Sequence, residues 1–308
     1  MRGFDSPVTN SLSVNGSEAP PVSGSSHEFA VQFWGVRGSV PTPGMETVRY
    51  GGNTACVELR VAGKRLIFDG GTGLRVLGKH LLNQRPIEAH IFFTHTHWDR
   101  IQGFPFFAPA FIEGNTFNIY GAVGQNGASI KQRLCEQMLR PNFSVPIQVM
   151  RSELRFHDIA PGSVITLDDV VVETIALHRP NSALGYRITW NGYSVVYATD
   201  TEHSPDHIDQ GLLYLAHQAD LLIYDVAHAD YDLQSLLSGQ SSATWYAGID
   251  VAMAAQVKQI VLFHHDPAHD DDFLDQVETE VQSSFPSLQL AREGMVLQVY
   301  QEENAKVN

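Results

Sequence analysis

Hydrophobic residues in this chain recur mainly in short runs that end at glycine, proline, asparagine or aspartate. Short apolar runs between turn residues are typical of β-strands, and unbroken ones are typical of strands covered on both faces. Eleven strands are predicted in this way. They are Phe29–Val36, Cys56–Val61, Arg65–Phe68, Ala89–Phe93, Val164–Leu167, Val170–Leu177, Gly185–Trp190, Ser194–Ala198, Leu221–Asp225, Gln259–Phe263 and Gly294–Tyr300. The second and third of them are predicted to form a hairpin around Gly63–Lys64.

Helical periodicity appears between these runs. In the segment Ala128–Leu139, for example, Ile130, Leu134 and Met138 recur every fourth residue, which places them on one helix face. The other predicted helices are Leu74–Leu82, Pro205–Gln218, Thr244–Val257 and Asp271–Ser284. Strands followed by helices occur in both halves of the chain, which indicates two sheets packed face to face with helices outside. The predicted fold class is therefore α+β, with four αββα layers.

The ends of the chain differ in composition from the rest. Residues 1–28 are rich in Ser, Gly, Pro and Asn and show no strand or helix period, so we expect a disordered N-terminal tail, with a docking tail as the alternative. Residues 29–302 are expected to form one domain. Residues 303–308 are expected to form a short C-terminal tail.

Charge limits the class of partner. The chain has 20 Lys and Arg against 34 Asp and Glu, a net charge of −14, and long nucleic acids are bound mainly by cationic surfaces. An extended nucleic-acid footprint is therefore not expected, whereas a small anionic substrate is compatible with a few local cations. Two cysteines, no apolar stretch long enough for a membrane span and no signal-peptide pattern lead us to expect a cytoplasmic protein without a membrane partner.

A cluster of histidine and aspartate follows the predicted strand Ala89–Phe93. His95 and His97 lie two residues apart and can reach one ion from a tight loop, and Asp99 can reach a neighbouring position. Imidazole and carboxylate are ligands that suit Zn²⁺. The alternative is a polar loop that binds no metal.

The segment from Thr94 to Arg100 resembles the THxHxDH signature of the metallo-β-lactamase-fold hydrolases, and further landmarks of that family follow the same order. The resemblance covers roughly residues 29–300 and implies the αββα sandwich. It also implies that Asp69 hydrogen-bonds the metal loop. It assigns metal ligands to His95, His97, His178, Asp200, Asp99 and His264.

Three longer segments are similar to the phosphodiesterase-like branch that includes ribonuclease Z and the cyclic-phosphate phosphodiesterases. They are FWGVRGSVPTPG (33–44), RYGGNTACVEL (49–59) and HWDRIQGFPFF (97–107). This similarity implies phosphodiester cleavage with two metals. Because related enzymes are often dimers, it also makes a homodimer an expectation for this chain. The loop Phe104–Phe111 would line the substrate pocket, or else pack against the next helix.

Two positions depart from the family pattern. Arg100 stands where the signature has a histidine ligand of the second metal, and a guanidinium has no lone pair to donate. Arg100 can instead pair with Asp99 and supply a positive charge. In GQSSATW (239–245), Ser242 stands where related sequences carry a proton-donating histidine, and His228 is a possible replacement.

Two classes of function follow. The first is a phosphodiesterase with one firm zinc site, which acts on a small nucleotide or other phosphodiester. Asp99, Asp200 and Arg100 are its candidate catalytic residues, and Arg100 is expected to bind the substrate phosphate in place of the second metal. Three histidines and a water form a catalytic zinc pattern. The second is a ligand-sensing or partner-binding regulator that has lost turnover, because both departures remove catalytic histidines.

Overall fold

The computed structural model describes residues 28–124, 126–177, 183–199, 201, 209–225 and 243–301. The expected tails therefore lie outside the described residues, apart from Glu28. Within the described ranges, no helix combines the length and the apolar character that a membrane-spanning helix needs.

Fourteen strands form two mixed sheets of seven strands each among the described residues. The first sheet has the order β14-β1-β2-β3-β4-β5-β6. Its strands are β1 (Glu28–Gly35), β2 (Cys56–Val61), β3 (Lys64–Phe68), β4 (Glu88–Phe92), β5 (Thr116–Ala122), β6 (Glu153–Ile159) and β14 (Val296–Gln301). The second sheet has the order β13-β12-β11-β10-β9-β8-β7. Its strands are β7 (Val164–Leu167), β8 (Val170–Ala176), β9 (Leu184–Trp190), β10 (Tyr193–Ala198), β11 (Leu221–Asp225), β12 (Gln259–Phe263) and β13 (Leu288–Leu290).

Helices cover the outer face of each sheet. Those of the described residues are α1 (Thr72–Leu81), α2 (Trp98–Ile101), α3 (Ile130–Glu136), α4 (Gln210–Ala216), α5 (Ala243–Ala254) and α6 (Asp271–Ser284). One apolar cluster lies between the two sheets, a second joins α1, α2 and α3 to the first sheet, and a third joins α4, α5 and α6 to the second sheet. The predicted four-layer αββα sandwich is confirmed.

The sequence pattern missed three strands and misplaced several boundaries. Strands β5, β6 and β13 were not predicted, and α3 is shorter than the predicted helix 128–139. Helix α4 begins at Gln210, where the side chain of Asp209 accepts hydrogen bonds from two backbone N–H groups of the first turn. The predicted residues 205–208 of that helix lie outside the described residues. The hairpin turn lies at Ala62–Gly63, both with positive φ, because Val61 pairs directly with Lys64.

Parallel strands bring the candidate site residues to one edge. Strands β3 to β6 are mutually parallel, as are β10 to β13. The carboxyl ends of parallel strands point the same way, so the segments after β3 and β4 meet in one sheet and those after β11 and β12 meet in the other. Two facing loops are in backbone contact there, since a Cβ on Gly103 would lie 1.8 Å from the carbonyl oxygen of Gly71.

Arg37, within the FWGVRG segment, has a structural role. Its guanidinium is fully buried, and it donates to the carbonyl oxygens of Gly51 at 2.7 Å and His269 at 2.6 Å. Backbone hydrogen bonds also join Gly38 N to His265 O and His265 N to Val36 O. The segment after β1 therefore fixes the loop that follows β12, where His264 lies.

Stability should fall in mild acid because of His90 on β4. Burial lowers the pKa of His90 to about 4, and its Nδ1 lies 3.2 Å from the Tyr120 hydroxyl. An unfolded chain binds a proton at His90 below a pH of about 6.5, whereas the folded protein does not until about pH 4. This contribution is present above pH 6.5 and is lost as the pH falls from there toward 4. Urea unfolding at pH 7 and pH 5 should show a smaller loss of unfolding free energy for His90→Gln than for the wild type.

A matched control is His217→Gln, which alters an exposed histidine in another part of the fold. It should keep the wild-type difference between the two pH values. An equal loss in all three proteins would contradict the assignment to His90.

Candidate metal centre

Asp69 anchors the loop that carries the candidate ligands. It directly follows β3 in a left-handed backbone conformation (φ 60°), and its carboxylate is fully buried. Oδ1 accepts hydrogen bonds from the backbone N–H of Thr94 at 2.9 Å and from the Thr94 hydroxyl at 3.0 Å. The hydrogen bond that the sequence predicted between Asp69 and the metal loop is confirmed.

The same contacts fix the ring of His95. The Thr94 hydroxyl has one hydrogen, which goes to the Asp69 carboxylate, so the hydroxyl oxygen accepts from His95 Nδ1 at 2.9 Å. This leaves Nε2 as the atom that carries the lone pair, the tautomer that a metal ligand requires. Carboxylate-linked orientation of this kind is usual behind zinc-bound histidines.

His97 lies beside His95 with the ring centroids 4.3 Å apart and the rings nearly perpendicular. Two imidazoles at this separation can converge on one ion at Zn–N distances of about 2.0–2.1 Å. Since the tautomer of His95 also suits the ion, this pair fits the first metal site of the family.

Arg100 is fully buried and contacts side chains from three other segments. Its Nη1 donates to Asp69 Oδ2 at 3.0 Å and to the hydroxyl of Tyr197 at 3.2 Å. Nη2 donates to Asp225 Oδ2 at 3.3 Å, and Nε lies 3.3 Å from Asp99 Oδ2. The side chain thus points into the site and pairs with Asp99, and two further carboxylates share the same guanidinium.

His264 completes this buried cluster. It follows β12 with φ 66°, its Nε2 lies 2.8 Å from Asp99 Oδ2 and its Nδ1 lies 3.0 Å from Asp225 Oδ2. Burial and the Arg100 charge oppose protonation, but Asp225 and Asp99 outweigh them and raise the pKa of His264 to about 9. The imidazolium form, which donates from both nitrogens, is therefore favoured in this arrangement.

Opposing electrostatic effects act on the carboxyl group of Asp69. Burial raises the pKa of Asp69, while the Arg100 guanidinium and the hydrogen bonds from Thr94 and Tyr197 act to keep the carboxyl charged. The negative charges of three carboxylates are nearly balanced in this cluster by the positive charges of one guanidinium and one imidazolium. As arranged, Asp99 contacts both His264 and Arg100, so these three side chains are paired with one another.

The structure pairs His95 with His97 and joins Asp99, Arg100 and His264 in one buried cluster. Asp69 links the two groups, because it contacts both Thr94 and Arg100. The predicted residues His178, Asp200, Ser242 and His228 lie outside the described residues. In the described part of the chain, no group of three or more His, Cys, Asp or Glu side chains has the arrangement of a metal site.

Other residues near this cluster have structural roles. His265 donates from Nε2 to the carbonyl oxygen of Ala291 and packs against Tyr50. In the loop 104–111, Phe104 packs against Phe93 after β4 and Phe107 packs against Phe117 of β5, so these contacts are with the first sheet and not with the next helix. Phe106 is 55% exposed.

Sequence reasoning missed Asp225 and Tyr197. Asp225 is the last residue of β11, and a carboxylate at the end of a buried parallel strand was the signal available in the sequence. Tyr197 lies within an apolar strand, and its hydroxyl contact with Asp69 at 2.9 Å could not be inferred from that pattern.

Replacement of Asp69 should weaken both the fold and metal retention. Asp69→Asn keeps the shape but removes the charge that pairs with Arg100 and accepts from Thr94. Breaking a buried charge pair typically costs about 3–5 kcal/mol, so we expect a loss of that size in urea unfolding and a lower retained metal content. Tyr197→Phe is the matched control, because it removes one donor to the same carboxylate and should cost about 1 kcal/mol. Equal stability of Asp69→Asn and the wild type would contradict the anchoring role.

Comparisons with known proteins identify the family of this chain. The family model described as a beta-lactamase superfamily domain matches residues 64–265. Ribonuclease Z from Crocosphaera subtropica is 25% identical over 331 aligned positions, which cover 87% of this chain and 97% of that protein.

Solved structures show the same fold. The metallo-beta-lactamase fold protein YhfI from Bacillus subtilis superposes with a TM-score of 0.62 and 19% identity, covering 88% of this chain and 99% of that one. Zn(2+)-bound PqqB from Methylobacterium extorquens gives a TM-score of 0.59 and 12% identity, covering 87% and 99%. Because the family model matches well over half of the chain, this protein belongs to the beta-lactamase superfamily and has its metallo-β-lactamase hydrolase fold.

Proposed function

We propose that this protein hydrolyses a small phosphodiester at a single zinc ion held by His95, His97 and His178. The observation that carries the proposal is the Asp69–Thr94–His95 chain, which sets the His95 tautomer for metal binding. Zinc, when bound, supplies Lewis acidity toward a phosphoryl oxygen and lowers the pKa of water. The resemblance of Asp200 to the family's bridging carboxylate makes it a further ligand.

Arg100 supplies the charge of the second cation in this proposal. Its guanidinium lies among Asp69, Asp99 and Asp225 and has no exposed surface. Such burial supports an electrostatic, positioning role over direct contact with a substrate phosphate. Asp99, held by Arg100 and His264, then orients the loop beside the zinc ligands.

The substrate class follows from the relatives and from the chain's charge. The similar curated proteins are named ribonuclease Z, and a ribonuclease cleaves phosphodiester bonds. A net charge of −14 disfavours a long nucleic acid, and the cavity beside His95 and His97 has a volume of about 330 Å³. A small nucleotide or another small phosphodiester fits both limits.

A regulator without turnover is the second candidate. It is favoured by the ion pair between Arg100 and Asp99, because the family resemblance assigns Asp99 to a metal. In that case the cavity binds a ligand without converting it. The bound ligand then changes how the protein binds a partner or the other subunit of a homodimer.

The metal content separates these functions. We expect about one tightly held zinc per chain after dialysis against a weak chelator, and hydrolysis of bis(p-nitrophenyl) phosphate that His95→Gln abolishes. The control is His80→Gln, which replaces a histidine on α1 outside the centre and should leave both values unchanged.

Two zinc ions retained per chain would contradict the role given to Arg100. A protein that retains no metal and shows no hydrolysis would contradict the proposed enzymatic function. Retained zinc without hydrolysis would favour the regulator.

Replacement of Arg100 by the histidine of the family signature should make the stability of the protein depend on a second metal ion. Arg100→His is too short to reach Asp69 and Asp225 together, so we expect a lower melting temperature in chelator. Added zinc should restore stability, because an imidazole at position 100 can join Asp99 and His264 around an ion. Arg100→Gln, which removes the charge without supplying an imidazole, should lose stability but recover little with zinc. Equal recovery of the two variants would show that no second site forms.

Adding Ser242→His tests the missing proton donor. General acid catalysis contributes roughly 10²- to 10⁴-fold, so the double variant Arg100→His/Ser242→His should hydrolyse bis(p-nitrophenyl) phosphate faster than the wild type and either single variant. A wild type faster than the double variant would show that Arg100 is itself required for turnover.

A further inference from the structure

A cavity of about 330 Å³ opens beside the histidine pair, and one wall of it is a guanidinium. His95, Thr96 and His97 line one side, the chain after β5 lines another, and Arg133 of α3 closes the third. The residues that would hold zinc and a cationic side chain therefore face the same space. None of the features that assign the metal centre accounts for Arg133.

The guanidinium of Arg133 is held in place by the walls of the cavity. Its Nη1 donates to Thr96 Oγ1 at 2.7 Å, and its Nη2 donates to Asn126 Oδ1 at 3.3 Å. The backbone of Gly124 packs against it so closely that a Cβ at that position would lie 1.5 Å from Nη2. Thr96 lies between the two histidines in sequence, so this contact ties Arg133 directly to the candidate ligand loop.

Helix α3 is itself fixed, which limits the movement of Arg133. Ser129 caps its first turn by accepting from Gln132 N at 3.1 Å, and Asp158 of β6 accepts from Ile130 N at 2.9 Å. Ile130 and Leu134 pack into the core behind the cavity. The side chain is thus presented from a rigid element and not from a loose surface loop.

Arg133 differs from other arginines of this acidic chain in its partners. Arg49, Arg60, Arg65 and Arg292 each form ion pairs with carboxylates. Across the described ranges, no ion pair joins Arg133 to an Asp or Glu, and its buried Nε has no hydrogen-bond partner there. Thr96 and Asn126 use two of its N–H groups, one on Nη1 and one on Nη2, so each terminal nitrogen keeps a second N–H group.

We propose that Arg133 is a specificity-determining residue that binds a phosphate oxyanion of the substrate while that substrate lies against His95 and His97. The inference rests on the proposed phosphodiesterase function and adds the group that selects the substrate. A planar fork of N–H donors matches phosphate oxygens and can bind two of them at once. Thr96 and Gly124 set the orientation of the fork before the ligand arrives.

The direct test is binding of inorganic phosphate, measured by isothermal titration calorimetry on the protein as isolated with its metal. Arg133→Met should weaken phosphate binding by about 10- to 100-fold, the range expected for loss of charged hydrogen bonds. Lys131→Met is the matched control, because it removes the same charge from the same helix at a position over the Phe156 ring. It should change the affinity by less than about twofold. Equal affinities of Arg133→Met and Lys131→Met would overturn the proposal.

A second variant keeps the positive charge of Arg133 but changes the position of its guanidinium. Gly124→Ala must displace the Arg133 guanidinium, since the new methyl group occupies its place. We expect weaker phosphate binding with an unchanged net charge. Should Arg133→Met fail to fold, this variant decides: a wild-type affinity for phosphate in folded Gly124→Ala would overturn the proposal.

Nucleotide probes and kinetics separate this inference from the proposed function. Arg133→Met should weaken the binding of adenosine 5′-monophosphate but not the binding of adenosine. It should also raise KM for bis(p-nitrophenyl) phosphate more than it lowers kcat. If the wild type lacks hydrolysis while phosphate binding still depends on Arg133, the hydrolase proposal fails and the anion site stands. If hydrolysis occurs and Arg133→Met leaves phosphate affinity and KM unchanged, only the anion site fails.

Discussion

The buried guanidinium of Arg100 is the constraint on which the rest of the centre depends. A fully buried charge is tolerated only when opposite charges and hydrogen bonds surround it. Here the compensating groups come from different parts of the fold, namely Asp69 after β3, Tyr197 in β10 and Asp225 at the end of β11. Because these partners belong to both sheets, the requirement to neutralise one side chain also fixes how the strand ends of the two sheets meet.

Backbone strain at the same place follows from this requirement. Asp69 and His264 both adopt left-handed backbone conformations directly after a strand, which costs on the order of 1–3 kcal/mol each for such residues. The turn directs each side chain into the space between the strand ends, where it contacts the cluster around Arg100. Gly38 lies against the ring of His264, with a hypothetical Cβ at 3.1 Å, so the second turn is supported from outside as well.

Much of this arrangement could be predicted from the sequence, for a definable reason. The αββα fold and most strands are encoded in apolar runs that end at turn residues. The resemblance to the metallo-β-lactamase-fold hydrolases, and not the apolar pattern, placed Asp99 and His264 in one centre. The missed strand β6 alternates exposed and partly buried residues at a sheet edge, so its apolar signal is weak. Asp225 and Arg133 were missed because their roles depend on contacts with residues far away in the sequence, which no local pattern records.

A cation that belongs to the polypeptide differs in kind from one that is acquired from solution. The Arg100 guanidinium is present from the moment the chain is made, cannot be removed by a chelator and cannot be exchanged for a competing ion. The strand ends around it can therefore assemble whether or not a metal ion is available. Removal of metal would then affect only the His95–His97 half of the centre and would leave the cluster around Arg100 assembled.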